Sequence, residues 1–258
     1  MKKLKNFRRF SHMVLALLIL VYPCESRAEF SYNLFHRATV GTPEDLQRAV
    51  DAGYDVNARN DEGWTPLMLA AASNENVEVT KLLLKYGADI QAETDRRFTP
   101  LDLAVMFNEN PDVVRVLLDH GADVAKDSFR APLFALERYP KTEFFETFME
   151  YGFDLNARSG GGNTILIMAA RTTNEPKIIE LLLDNGAEID AKGTLDMTAL
   201  TYSAWFNENA GITQILLDAG ADVHARSFDG GTVLIFAAGF SSNLDVIRLL
   251  LDASAIKG

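Results

Sequence analysis

Residues 65–71 read TPLMLAA and are followed by Gly-Ala-Asp from Gly87, and both sequences return 34 residues further on. The second copies are TPLDLAV from Thr99 and Gly-Ala-Asp from Gly121. A period of this length indicates that each copy is one supersecondary unit that cannot bury its own apolar face. The copies are therefore expected to stack into a solenoid, and function is expected on its surface.

A glycine is predicted to end the second helix of each repeat, and it is called the closing glycine below. The number of repeats follows from the positions of these glycines. They are spaced 34, 34, 31, 34 and 34 residues apart, and Ser254 takes the next place. The glycines are Gly53, Gly87, Gly121, Gly152, Gly186 and Gly220. The series predicts seven repeats, of which the first and last are caps. Their predicted ranges are 29–56, 57–90, 91–124, 125–155, 156–189, 190–223 and 224–258.

Each repeat is predicted to contain two helices. The motif threonine supplies the N-cap hydroxyl of the first helix, and a following proline takes the first helical position, where its missing N–H costs nothing. Val79, Leu82 and Leu83 have the i, i+3, i+4 spacing of an amphipathic second helix. The closing glycine then ends that helix, and a polar segment crosses to the next repeat as a hairpin-like finger.

These residues resemble the ankyrin repeat, whose pattern T-P-L-H-x-A-A, E-V-V-x-L-L-L and G-A-D-V-N-A is matched from about residue 30 to the C-terminus. The resemblance implies an all-α solenoid of about seven helix-turn-helix units with short fingers, similar to a 34-residue bacterial variant. It also implies that partners lie along the concave face, which is made by finger tips and first helices. The pattern histidine is replaced by Met68, Asp102, Phe134, Ile167, Thr201 and Ile235.

The missing histidine has a consequence for packing. In the family, its hydrogen bonds tie the first helix to the neighbouring loop. The turns between the two helices are rich in asparagine here, as at Asn74 and Asn108. We predict that these asparagines compensate for the lost histidine.

The first 28 residues have the layout of a secretory signal peptide. Five basic side chains within residues 2–9 precede an apolar run at 13–21, and Ser26 and Ala28 are small residues at a cleavage site. The run is well short of the roughly 18 to 20 residues that span a bilayer. We expect cleavage after Ala28, export to the periplasm or the medium, and no stable membrane insertion. Anchoring through residues 13–22 and lipidation at Cys24 are the alternatives.

Removal of residues 1–28 takes away six basic side chains and one acidic one, so the formal charge changes from −11 to −16. A strongly acidic surface repels phosphate backbones, which excludes nucleic acid and anionic membranes as partners. The removed segment contains the single cysteine, Cys24. The mature chain therefore has no disulfide, no thiolate chemistry and no cysteine-ligated metal.

No combination of residues indicates catalysis. His36, His120 and His224 lie on three different repeats, and no pair has the spacing of metal ligands. His120 stands just before a helix-ending glycine, where an imidazole is typical of a cap. The glycines at 160–162 are followed by no lysine, unlike those of a P-loop. We predict no enzyme activity, no cofactor and no metal site.

One position of the fingers is a candidate for partner contact because its residue type varies between repeats. It lies six residues after each closing glycine and forms a broken basic stripe on an acidic chain, with a solvated position as the alternative interpretation. It holds Arg59, Glu93, Asp127, Arg158, Lys192 and Arg226.

Aromatic residues that break the repeat pattern are the second set of candidates. Trp64 and Phe98 directly precede the motif threonine, and Trp205 follows the small residues of its helix. Such side chains are frequent in interface hot spots. A different position, eight residues after the threonine, is aromatic in several repeats, which favours stacking between repeats over recognition. That position holds Phe107, Phe206 and Phe240.

The repeat at 125–155 departs from the others. Its finger is two residues short, Ala131 replaces the motif threonine, and Phe144, Phe145 and Phe148 crowd its second helix. We interpret the larger side chains as filling the gap left by the shorter finger. A kink or a partner site is the alternative.

The sequence thus predicts an exported ankyrin-repeat protein that binds a protein partner through its concave face and has no catalytic activity. A dedicated protective or immunity partner of one periplasmic or secreted enzyme or toxin is the alternative, and an enzyme with an unrecognised site is a third. We expect a monomer, although an incompletely covered last repeat would allow pairing with another chain. The partner itself is not identified by these residues.

Overall fold

A computed structural model describes residues 34–108 and 110–257, without the side chains of residues 126–128, 256 and 257. Its regular elements within these residues are fourteen α-helices and a short 3-10 helix, and one isolated bridge joins Arg226 to Thr232. The prediction of an all-α fold is therefore confirmed. The signal peptide predicted at 1–28, the anchor at 13–22 and the lipidation at Cys24 lie outside the described residues.

The described residues divide into two compact parts, one that ends at Ala122 and one that begins at Asp123, called here the N-terminal and the C-terminal half. The described N-terminal half contains three helix pairs. First helices pack on first helices, and second helices on second helices, in chain order. The pairs are α1 (Leu34–Val40) with α2 (Pro43–Asp51), α3 (Pro66–Ser73) with α4 (Val77–Lys85), and α5 (Pro100–Phe107) with α6 (Pro111–Asp119).

The C-terminal half repeats this arrangement with four pairs, and a 3-10 turn at Thr194–Asp196 lies in one of its fingers. The first helices again pack on one another in chain order, as do the second helices. The pairs are α7 (Lys126–Arg138) with α8 (Thr142–Glu150), α9 (Ile165–Thr172) with α10 (Pro176–Asp184), α11 (Ala199–Phe206) with α12 (Ala210–Asp218), and α13 (Val233–Phe240) with α14 (Leu244–Lys257).

The predicted helix caps are present in the regular repeats. The motif threonine is the N-cap, and its side chain accepts a hydrogen bond from the backbone N–H three residues further on. The six closing glycines have φ between 83° and 96°, as the predicted left-handed helix ends require. A side chain would find space at these glycines, so the backbone conformation alone demands them.

Buried asparagines link three of the first helices to the preceding repeat. The Nδ2 atom of Asn108 donates to the carbonyl oxygens of Ala71, at 3.0 Å, and Asn74, at 3.1 Å. Asn74 and Asn207 donate in the same way to two carbonyls of the repeat before them. The asparagines therefore form the inter-repeat hydrogen bonds that their predicted compensating role requires.

The irregular repeat at 125–155 contains no hairpin-like finger, which corrects the prediction of a shortened one. Residues 126–138 form α7 instead, and Ala125 rather than Ala131 is its N-cap. Within this helix Phe129 has a φ of 53°, which interrupts the sequence of helical backbone angles. Pro132 therefore falls in the first turn after the interruption, where a missing N–H costs little. This repeat is three residues shorter than the others, so the chain is too short to form a hairpin and still reach the next helix.

The phenylalanines of this repeat fill its core. Phe144, Phe145 and Phe148 are fully buried, and Phe148 packs with its ring centroid 6.4 Å from Phe144 and 6.1 Å from Phe145. The structure places these rings in the core of the repeat, and their role in filling the gap of a shorter finger stays an interpretation.

In the described part of the chain, no helix combines the length and apolar character needed to cross a bilayer.

Candidate functional site

The fingers of the regular repeats are tight turns closed by backbone hydrogen bonds. In one finger, Asn60 N–H donates to the Trp64 carbonyl at 3.0 Å, and Gly63 N–H donates to the Asn60 carbonyl at 2.9 Å. The same pair of bonds recurs in the fingers that end at Phe98, Asn163, Met197 and Gly231. The residue that takes positive φ at the tip is glycine in three fingers, whereas Arg97 and Asp196 take it in the other two.

The arginines of the predicted basic stripe connect fingers. Arg59 Nη1 donates to the Gly63 carbonyl of its own finger, at 2.8 Å, and to the Glu93 carbonyl of the next finger, at 2.7 Å. Arg158 likewise donates to the carbonyls of Gly162 and Lys192. These guanidinium groups remain exposed, but they hold the finger edge together.

The rest of the stripe makes contacts within single fingers. Arg226 donates to the Gly230 carbonyl at 2.9 Å, and Lys192 Nζ lies 4.0 Å from the Asp196 carboxylate. Glu93 pairs with Arg97, and the side chain of Asp127 lies outside the described residues. The stripe is therefore a row of finger contacts at the surface, and its role in partner binding stays a prediction.

The two aromatic candidates of the N-terminal half pack on one apolar cluster. Trp64 and Phe98 are half-buried and lie against Met68, Ala72, Ala92 and Leu103. Phe107 packs against the same cluster. The structure thus brings Trp64 and Phe98 together in a packing role, and their contact with a partner remains untested.

Trp205, the third aromatic candidate, lies in a stack of rings on the first helices α11 and α13. Its ring centroid is 4.3 Å from that of Phe206 and 5.1 Å from those of both Phe236 and Phe240, with interplanar angles of 20–32°. These four residues are called the aromatic patch below. Phe236 is buried and Trp205 is half-buried.

Phe240 stacks on Trp205 of the preceding repeat, as predicted for this position. Phe206 and Phe240 are not covered as core residues, however, because they expose 47% and 63% of their surface. Phe107, at the equivalent position, is half-buried because it shares the cluster contacted by the finger aromatics Trp64 and Phe98. The corresponding finger residues of the C-terminal half are Asn163, Met197 and Gly231, none of which is aromatic. The repeat period shows which residues share a position, but not what covers them.

A cleft of about 290 Å³ opens beside the aromatic patch, where α11 and α13 end. Charged groups accompany the rings, because Glu208 lines the cleft and the guanidinium of Arg171, from the end of α9, lies over the Phe206 ring at 5.6 Å from its centroid. The cleft is lined by Trp205, Phe206, Asn207, Glu208, Phe240, Ser241 and Ser242.

Two titratable groups of the described residues have local structural roles. The Ser227 hydroxyl and the Gly231 N–H donate to Asp229 and lower the pKa of its carboxyl group within one finger turn. Nδ1 of His120 lies 2.8 Å from the carbonyl oxygen of Val116, so the predicted capping role of this imidazole is confirmed. No set of three or more His, Cys, Asp or Glu side chains in the described ranges could hold a metal.

Comparison with protein families identifies the repeats. A model of ankyrin repeats in three copies matches residues 34–128, and a model of a single ankyrin repeat matches residues 161–194, which together make up half of the chain. The chain belongs to the ankyrin repeat family. Ankyrin repeats are in general modules for protein–protein interaction without catalytic activity, which implies protein partners.

Solved structures agree with this assignment. The ankyrin repeat domain of Bcl-3, described as a unique member of the IkappaB protein family, is 25% identical with a TM-score of 0.72, and the match covers 84% of this chain and 97% of that chain. The human ASB11 ankyrin repeat domain is 26% identical with a TM-score of 0.72, over 85% of this chain and 96% of that one. No relative was found among curated proteins.

Proposed function

We propose that this chain is an exported scaffold that binds a protein partner through the aromatic patch and has no chemistry of its own. The observation that carries the proposal is the exposure of Phe206 and Phe240, which leave 47% and 63% of their surface open to solvent. Stacked on Trp205, they form a rigid apolar anchor. Aromatic anchors of this kind dominate the binding energy of many protein interfaces.

The position of the patch supports the proposal. It lies on first helices, and together with the fingers these form the partner-binding face in proteins that resemble this one. Two neighbouring finger tips are apolar as well, since Leu195 is 59% and Phe228 is 81% exposed. The Phe228 N–H donates to the Leu195 carbonyl at 2.9 Å, which holds these tips side by side. Exposed apolar patches are typical of interaction sites.

The other residues predicted from sequence belong to the proposal as a second set of contacts. Trp64 and Phe98 would meet a partner with the part of their surface that the core leaves open. Because the fingers continue the binding face, exposed cations along them would form a polar rim that influences the rate of association more than its strength. The cations are Arg59, Arg158, Lys192 and Arg226.

Export is supported by the basic start, the short apolar run and the small residues that end at Ala28. The mass of the protein purified from the periplasm or the medium tests it. We expect a chain that begins at Glu29. A full-length chain that stays in the cytoplasm would contradict export, and a chain that keeps residues 13–22 in the membrane would support the anchored alternative.

The binding proposal is tested by capture from an extract of the expressing cells, with wild-type protein and a Phe206→Ser/Phe240→Ser variant as baits. We expect the variant to capture at least about tenfold less partner than the wild-type protein. Removal of two hot-spot side chains lowers the affinity by more than a factor of about ten. Tyr54→Ser is the matched control, because Tyr54 is an aromatic residue of the N-terminal half that is 43% exposed.

The identity of the captured protein separates the two functions. Several partners favour a scaffold, whereas one partner bound in equal amount favours a dedicated protective protein. Equal capture by the wild-type protein and the Phe206→Ser/Phe240→Ser variant would show that the aromatic patch is not the binding surface.

A further inference from the structure

We infer that the cleft beside the aromatic patch receives a cationic side chain, arginine or lysine, from a segment of the partner protein. The inference rests on the proposed function and adds the chemistry of the ligand. Three observations lead to it: the aromatic residues and Glu208 that line the cleft, and a cation–ring contact that the protein already makes at this place.

The ring faces provide the first attraction. Trp205, Phe206 and Phe240 line one cleft of about 290 Å³, and the ring planes of Phe206 and Phe240 lie 20° and 32° from that of Trp205. The face of an aromatic ring carries negative electrostatic potential, and the exposed rings of Phe206 and Phe240 are the ones open to a cation. The methylene stem of an arginine or a lysine also covers apolar ring surface while its charged end stays polar. One long cationic side chain therefore satisfies both the rings and the polar residues of the cleft.

The carboxylate of Glu208 provides the second attraction. Glu208 follows Asn207, whose buried side chain fixes the turn after α11 by donating to the Ala170 and Thr173 carbonyls at 2.9 and 2.8 Å. Glu208 itself is exposed, and among the residues that the structure describes it takes part in no ion pair. A guanidinium or an ammonium group in the cleft would gain a charge-assisted hydrogen bond from it.

An internal contact shows that this surface accepts a guanidinium. The Arg171 guanidinium lies 5.6 Å from the ring centroid of Phe206. Arg171 is exposed and reaches the ring from the end of the neighbouring first helix. Phe240 lies one repeat further on, at the position equivalent to Phe206, and is still more exposed.

The charge of the surroundings favours the same ligand. Residues 123–258 contain 19 acidic and 11 basic side chains, a formal charge of −8. A field of this sign attracts a basic segment over several ångströms and repels an acidic one. A purely apolar side chain in the cleft would take the Glu208 carboxylate out of water without a partner, which is unfavourable.

The test uses random twelve-residue peptides displayed on phage, selected on the chain from residue 29 to 258 and depleted on the Phe206→Ser/Phe240→Ser variant. We expect the enriched peptides to share an arginine or a lysine. For the tightest peptide, replacing that arginine by citrulline, or that lysine by norleucine, should weaken binding about tenfold, because the charge is lost while the length of the side chain is kept.

Glu208→Gln should weaken binding of the cationic peptide by a similar factor and leave binding of the neutral peptide unchanged. This result would identify the Glu208 carboxylate as the partner of the peptide's charge. Glu75→Gln is the matched control, because Glu75 is exposed and follows Asn74 as Glu208 follows Asn207. Glu75→Gln should leave the affinity for both peptides unchanged. Circular dichroism melting curves establish that the variants compared are folded.

The failures of the two proposals are distinguishable. Peptides that need Phe206 and Phe240 but bind equally well with citrulline or norleucine, or with Glu208→Gln, would overturn the cation site and leave the patch as a binding surface. Should no peptide prefer the wild-type protein over the Phe206→Ser/Phe240→Ser variant, both the cation site and the proposed binding surface would be wrong.

Discussion

In the N-terminal half of the chain, Trp64 and Phe98 come from the fingers and lie half-buried against an apolar cluster, whereas in the C-terminal half the large rings of Phe206 and Phe240 come from first helices and lie open to solvent. Both halves are built from the same repeat. The difference shows that a repeat scaffold can use aromatic side chains for packing or present them at its surface, according to the position in the repeat and the residues of the adjoining finger.

The largest effect is expected at a feature that both halves share, the buried asparagines. Asn108→Ala and Asn207→Ala each remove two hydrogen bonds to the preceding repeat and leave carbonyl groups unpaired. We expect each variant to lose about 2–4 kcal/mol of stability in chemical denaturation, because buried unpaired polar groups are costly. Asn185→Ala, at an exposed asparagine, is the control. Losses no larger than the control's would contradict the compensating role of Asn108 and Asn207.

The next largest loss of stability is expected at Trp64, whose ring packs in the N-terminal half, unlike the exposed rings of the C-terminal half. Trp64→Ala removes a half-buried ring from the cluster that contains Met68 and Leu103. We expect a loss of about 1–3 kcal/mol, less than for a fully buried tryptophan. Thermal and urea unfolding measure it. An unchanged stability would show that Trp64 does not serve packing, and reduced capture of a partner by folded Trp64→Ala would support the contact predicted from sequence.

A smaller effect is expected at the fingers and should be equal in both halves. Arg59→Ala and Arg158→Ala each remove hydrogen bonds to the carbonyls of two fingers. Because these groups are exposed, we expect a loss of about 1 kcal/mol or less. Lys192→Ala, which removes only an exposed ion pair within one finger, should cost less. If Lys192→Ala cost as much as the arginine variants, the carbonyl bonds would not be the cause.

The smallest effect on stability is expected at Phe240. Its side chain is 63% exposed, so Phe240→Ala removes little buried surface and should cost less than about 1 kcal/mol. Urea unfolding of this variant beside Trp64→Ala compares the two uses of aromatic residues directly. A loss at Phe240 equal to that at Trp64 would show that the patch serves packing as well.

Much of the fold could be predicted from the sequence because a cap, an apolar stripe and a closing glycine are local signals. Thr99 and Gly121, for example, act within one or two turns of the helices that they bound. The repeat at 125–155 could not be predicted in the same way. There the chain is three residues shorter, and Phe129 takes a conformation that is uncommon for a residue with a side chain.

The candidate site was predicted less well. Trp205 was recognised as unusual, but the exposure of Phe206 and Phe240 depends on which side chains of the fingers pack against them, and the repeat period does not show this. The finger contacts of Arg59 were missed for a related reason, since its second acceptor is 34 residues away. One sequence signal could have indicated the first acceptor, because an arginine followed by a glycine four residues later recurs in three fingers.

Photo-crosslinking tests most directly whether the exposed aromatic residues of the C-terminal half contact a partner. Benzoylphenylalanine placed at Phe240 replaces one exposed aromatic side chain by another, and the same residue at Tyr54 is the control in the N-terminal half. After irradiation in an extract of the expressing cells, a discrete adduct is predicted for position 240 and none for position 54. An adduct at position 54 together with none at position 240 would contradict the account.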